Sequence, residues 1–181
     1  MLRAAATLFR RQGYAATGWR QVVAESEAPW GSQHHHFPGG KEQLATEALG
    51  RAGDAYGRML QAVLAEGDLA RAVETWARVA AQELERSGWA DGCPIATVAL
   101  ETAHTSDALA EACGAALSGW RQALATAFAD AGLPQAEAAS LATLVLAAIE
   151  GGLLLARATR SRQPLHQVGK ELASTIRARL P

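Results

Sequence analysis

The stretch that decides the fold is Thr17 to Lys41, TGWRQVVAESEAPWGSQHHHFPGGK. Thr17 can cap a first short helix by accepting a backbone N–H bond. Val22 and Val23 give that helix an apolar face, while Arg20 and Gln21 point elsewhere. Ser26-Glu27-Ala28-Pro29 ends it, because Pro29 biases Ala28 away from the right-handed helical region and is itself best tolerated at the first position of a following helix. A second helix of about two turns is expected from Pro29 to His36. Its side chains Trp30, Ser32, Gln33, His34 and His35 are donors, acceptors or flat rings rather than core formers. That composition suits an exposed helix in contact with something polar, and two short helices around a tight turn are how a small DNA-reading head is built. Phe37-Pro38-Gly39-Gly40 closes the unit.

Working outward, Leu2, Ala5, Ala6 and Phe9 recur at i, i+3, i+4 and i+7. They put one apolar stripe on a helix ending at Gly13, available to cover the two short helices. On the other side a long helix runs from about Lys41 to Leu64, and Gly67-Asp68 breaks it. Further helices are expected over Leu69–Arg86, Pro94–Ala103, Ser106–Ala131, Gln135 to about Thr159, and Pro164–Leu180, with a loop at Ser87–Gly92 and a stop at Gly132-Leu133-Pro134. The chain has 181 residues, 49% hydrophobic and 19% charged, with six prolines and abundant Ala, Leu, Glu and Arg. An all-α fold of about nine helices follows, a three-helix head on a larger helical body, with the boundary placed between residues 1–46 and 47–181.

The net charge is −1, but it is unevenly placed. Residues 1 to 41 hold five basic side chains (Arg3, Arg10, Arg11, Arg20, Lys41) against Glu25 and Glu27, a balance of +3, so the remainder carries −4. A basic head on an acidic body is what attraction to phosphate needs at one end only. Cys93 and Cys113 are too few and too far apart for a zinc site or a disulfide framework, and with no signal peptide at the start they are expected as thiols in a reducing cytoplasm. The apolar run Leu141 to Ala156 contains Glu150 and a Gly pair and is short for a membrane span, so no membrane association is expected.

Ala5-Ala6, Leu8-Phe9, Gly13-Tyr14 and Thr17, then the two short helices, His36-Phe37, Lys41 and Leu44, resemble in order and spacing the head of the TetR/AcrR family of bacterial transcription regulators. Phe37–Leu44 and Gly92–Glu101 are similar to its LmrA/YxaF branch. The resemblance implies a ligand-responsive regulator, a repressor of transcription, that binds double-stranded operator DNA as a homodimer and leaves it when a small-molecule effector binds; no cofactor is implied. Thr17, Arg20, Trp30, Ser32, Gln33, His34, His35 and Lys41 are the DNA-binding candidates, with Gln33 and His34 on base edges and Thr17 and Lys41 on phosphates. The sequence departs from the family pattern where Glu27 replaces the turn glycine, Trp30 a frequent basic residue and Gln33-His34 a Leu-Tyr pair, so base preference does not transfer from relatives. The resemblance also implies a basic arm before the first helix, which a chain beginning at Met1-Leu2-Arg3 does not show, so a clipped chain or a misassigned start is expected. These departures leave open a second reading, a helical ligand-binding or scaffolding protein that no longer binds DNA.

In the body, Leu141, Leu144, Val145, Leu146, Ile149, Leu153, Leu154 and Leu155 occupy most of one helix's circumference. A helix apolar on nearly all sides needs cover on nearly all sides. That points to a partner subunit, with Leu141, Leu144, Val145 and Leu153 as interface candidates; the resemblance implies pairing of the last two helices as a four-helix bundle. Trp76, Trp89 and Trp120, with Phe128, are large groups against an alanine background, suited to lining a pocket for an apolar or cationic aromatic effector, with Cys93 and Glu101 as polar members. His34-His35-His36 makes no metal site, because adjacent helical residues point about 100° apart and cannot converge on one ion. Glu101 and His104 lack a third group, and no catalytic or phosphate-binding motif occurs, so no enzyme is expected.

Overall fold

A computed structural model describes residues 1–181. It is all helical: α1 Leu2–Gln12, α2 Trp19–Glu25, α3 Ser32–His36, α4 Gly40–Leu64, α5 Leu69–Arg86, α6 Pro94–Thr102, α7 Asp107–Asp130, α8 Gln135–Thr159 and α9 Gln163–Arg179. The helices form two compact units, Met1–Tyr56 with Cys93–Leu117, and Gly57–Gly92 with Ser118–Pro181. This differs from a single cut after residue 46, because α6 and the first half of α7 cluster with the head. Long-range contact of this kind leaves no mark in local composition.

In the first unit, α1 buries Ala4, Ala5 and Phe9 and packs on both α2 and α6. Gly13 stops α1 at φ 84°, a conformation that glycine adopts without a Cβ penalty, and its N–H closes on Phe9 O at 2.9 Å. Val22 and Val23 of α2 are buried, as the apolar spacing required. The cap of α2 is Gly18 rather than Thr17, with Gln21 Oε1 accepting the Gly18 N–H at 3.1 Å. The second short helix begins at Ser32, three residues later than expected, because Pro29-Trp30 stay in the turn and Gly31 at φ 99° forms the cap. Leu44, Ala45, Ala48 and Leu49 form the buried face of α4, and an added Cβ at Gly53 would lie 2.7 Å from that of Ala116 on α7.

The second unit is built on α5, α8 and α9 packed against one another. Asp68 starts α5 by accepting the Arg71 N–H at 2.9 Å. Gly169 lets α9 approach α5, since a Cβ there would sit 2.8 Å from the Ala77 Cβ. Gly152 makes the corresponding approach of α8 to Leu165. Helix α8 is apolar around much of its surface but only one side faces its own chain: Leu141, Ala142, Val145, Leu146 and Ile149 are buried, whereas Leu144, Leu154 and Leu155 are exposed at 45%, 64% and 54%. By length and composition alone α8 is long and apolar enough to cross a membrane, which corrects the shorter span read from the apolar run. Its buried stripe is that of a helix lying on α5 and α9.

Candidate nucleic-acid interface

The head places its recognition side chains by burying their neighbours. Trp30 is 65% exposed, and His34, His35 and His36 all face solvent, while Phe37 is buried with its ring 6.0 Å from Trp19. His36 also lies beside Phe37, ring centroids 6.4 Å apart. Ser32 is half-buried and donates its hydroxyl to Pro29 O at 2.7 Å. Arg20 is exposed on α2. Glu27, standing in the turn between the two helices, adopts φ 53°, so the backbone keeps the left-handed turn that glycine would take more easily.

Two of the expected DNA-contacting side chains are buried and hydrogen-bonded within the head. Gln33 is 2% exposed, and its Oε1 accepts the Gly31 N–H at 2.8 Å, closing the start of α3 from within. Thr17 is 1% exposed; its hydroxyl donates to Gly13 O at 2.7 Å and accepts from Gln12 Nε2 at 3.3 Å, so it braces the corner between α1 and α2. Polar side chains in a short helix or at a cap favour exposure by default, so local sequence alone points both outward. In the folded head Gln33 supplies a buried acceptor, and Thr17 both a donor and an acceptor.

Lys41 stays near the surface but is held. Its Nζ lies 4.1 Å from the centroid of Tyr14 and 3.5 Å from Ala15 O. Burial lowers the Lys41 pKa from its ordinary value, and the Glu101 carboxylate partly opposes that by favouring the charged ammonium. Burial likewise raises the Tyr14 phenol, with Glu42 adding to it. Tyr14 thus packs against Lys41, and a ring one residue after the helix-stopping Gly13 is the sequence signal for that contact.

The six expected effector-site residues divide between the two units. Trp76, Trp120 and Phe128 are buried in the second unit, and Trp120 lies under α4, 3.5 Å from where a Gly57 Cβ would stand. Trp89, at φ 66°, packs beside Ala81, Leu84, Ala156 and Leu165 and borders an open cleft of about 610 Å³ with Glu85, Arg162, His166 and Lys170. Cys93 and Glu101 belong to the first unit and have structural work there. Cys93 caps α6, its Sγ accepting from Ala96 N at 3.5 Å, and Glu101 Oε2 accepts the Ala15 N–H at 2.8 Å. On α8, Leu141 and Val145 are wholly buried within the chain and Leu153 is half-buried against the same cluster as Trp89, so of the expected interface residues only Leu144 is largely exposed. The outward face is completed by Leu154 and Leu155.

An all-helical chain with a buttressed two-helix corner and an exposed polar second helix defines a helix-turn-helix regulator. Residues 1–48 match the family described as bacterial regulatory proteins, tetR family, and residues 70–171 match the transcriptional regulator LmrA/YxaF-like C-terminal domain. The HTH-type transcriptional regulator YxaF of Bacillus subtilis is 33% identical over 98% of this chain and 93% of its own length, and LmrA of the same organism is 36% identical over 91% and 88%. The regulatory protein TetR from Rhodobacter sphaeroides superposes with a TM-score of 0.84 at 21% identity, covering 96% of this chain and 95% of that one, which is a likeness of fold. The chain belongs to the TetR family, with a C-terminal domain of the LmrA/YxaF type, and is a DNA-binding transcriptional regulator of a family in which ligand response is typical.

Proposed function

We propose that this chain is a homodimeric repressor that lays α3 in the major groove of its operator. Trp30, Ser32, His34 and His35 address base edges, and Arg20 and Lys41 address phosphates. The observation that carries this reading is the split across α3 and its flanks: Trp30 in the turn before it and His34 and His35 on it stand in solvent, while Gln33 and the capping Phe37 are buried. A second copy covers Leu144, Leu154 and Leu155 of α8, an apolar face that its own chain leaves open. Pairing two heads in this way sets the spacing of the recognition helices, about 34 Å for half-sites one turn apart.

The effector in this reading is an apolar or cationic aromatic compound held by the second unit near Trp76, Trp120 and Phe128. It dissociates the repressor by its differential affinity for one head spacing over the other. The protein acts in the cytoplasm, without catalysis and without a membrane. A gel shift on DNA upstream of its own gene tests the reading: binding should exceed that to scrambled DNA and weaken steeply as salt rises. Equal binding to both DNAs at every salt concentration would count against it. For the effector, a panel of aromatic cations should include members that release the operator and quench tryptophan fluorescence together; release by none would remove that part.

A further inference from the structure

The Ala15 N–H lies in the turn between α1 and α2, where no helix supplies an acceptor, and it donates to a carboxylate 86 residues away, Glu101 Oε2, at 2.8 Å. The fit is specific to glycine at position 13: a Cβ built there would lie 1.7 Å from Glu101 Oε1. Gly13 thus serves the left-handed stop of α1 and also clears the seat for a side chain from α6. On the other side of the same residue, Ala15 O accepts from Lys41 Nζ at 3.5 Å, with the ammonium over the Tyr14 ring. Glu101 and Lys41 therefore grip the N–H and the C=O of one turn residue. Two residues on, Thr17 N and Oγ tie the turn to Tyr14 O and Gly13 O.

The geometry points to Glu101 as the positioning residue through which α6 holds the α1–α2 turn, and with it the recognition helix and Lys41, in the posture that binds DNA. The inference rests on the DNA-binding reading and adds to it a named contact by which movement of α6 reaches the head. A hydrogen bond to a carboxylate is stronger than one between neutral groups, but it is lost when donor and acceptor separate by about 1 Å. Because α1 packs directly on α6, a shift of α6 along or away from α1 breaks this contact. The Ala15 amide is then left to solvent and Lys41 loses its nearby counter-charge.

The test compares wild type, Glu101→Gln and Glu101→Ala as full-length protein, using operator affinity by fluorescence anisotropy and hydrogen exchange of the Ala15–Thr17 amides. Glu101→Ala should weaken operator binding roughly tenfold and speed exchange at Ala15 by a similar factor. Glu101→Gln keeps an acceptor for the Ala15 N–H but not the charge, and should fall between wild type and Glu101→Ala in both readouts. Wild-type affinity and wild-type exchange in Glu101→Ala would overturn the proposal. So would Glu101→Gln as damaging as Glu101→Ala, since that would make bulk charge rather than the hydrogen bond responsible. If the wild type fails to bind the DNA at all, the DNA-binding reading falls, while the exchange comparison still decides whether Glu101 holds the turn.

Discussion

Replacing Gln33 by alanine tests the interface most sharply, because the buried placement of this side chain and its polar chemistry point to opposite outcomes. Gln33 is 2% exposed and closes the Gly31 N–H. Truncation removes one buried methylene, worth about 0.8 kcal/mol, and one hydrogen bond, worth about 1 kcal/mol net. The sum, about 2 kcal/mol, falls on a helix of five residues, which has little cohesion of its own. DNA binding must then supply the order that Gln33 supplied before, so affinity should drop by up to about 30-fold. The drop should be uniform across operator variants. His34→Ala provides the contrast: an exposed side chain on the same helix should relax preference at one base position by about 1–3 kcal/mol without loosening α3. Affinities measured over an operator library, together with amide exchange of residues 31–37, separate the two. If Gln33→Ala relaxes preference at a single position while overall affinity and exchange hold, the side chain reads a base and the argument from burial is refuted.

Four further outcomes follow from the same geometry. Leu154→Arg should convert the dimer to a folded monomer in sedimentation, because it sets a charge on the open face of α8, whereas an unchanged dimer would move the interface elsewhere. Lys41→Ala should weaken binding to all sequences alike and lower the slope of log affinity against log salt by about one; a change in base preference would contradict a phosphate role. Gly169→Ala should lower stability by about 1–3 kcal/mol in denaturant titration, since its Cβ would meet Ala77 at 2.8 Å, outweighing the roughly 1 kcal/mol of helix propensity gained. Cys113, buried with its thiol pKa pushed up by burial, should resist iodoacetamide at pH 8 until the protein is unfolded, and rapid native alkylation would show that α7 opens there.

Local signals in the chain were enough for the helices and the class. Gly67-Asp68 and Ser87-Gly88 bracket α5 at Leu69–Arg86 as expected, and Gly13 stops α1 where the apolar stripe ends. Such signals act over three or four residues, the range over which caps, breakers and helical periodicity operate. The order and spacing of the head motif were likewise legible, because a helix-turn-helix is itself a local unit.

The roles of individual polar residues were settled only by tertiary packing. Thr17 and Gln33 carry the chemistry of surface contacts, yet the folded head needed one as a corner brace and the other as an internal cap. Which side of α8 is open was equally undetermined, since a helix apolar nearly all round does not say which stripe its own chain covers; Leu141 and Val145 went inward and Leu154 and Leu155 outward. Glu101 is the clearest case. Nothing near it in sequence calls for a carboxylate, and its partner, the Ala15 N–H, lies 86 residues away. Only the packing of α6 on α1 brings the two together, over a glycine that leaves room for the carboxylate.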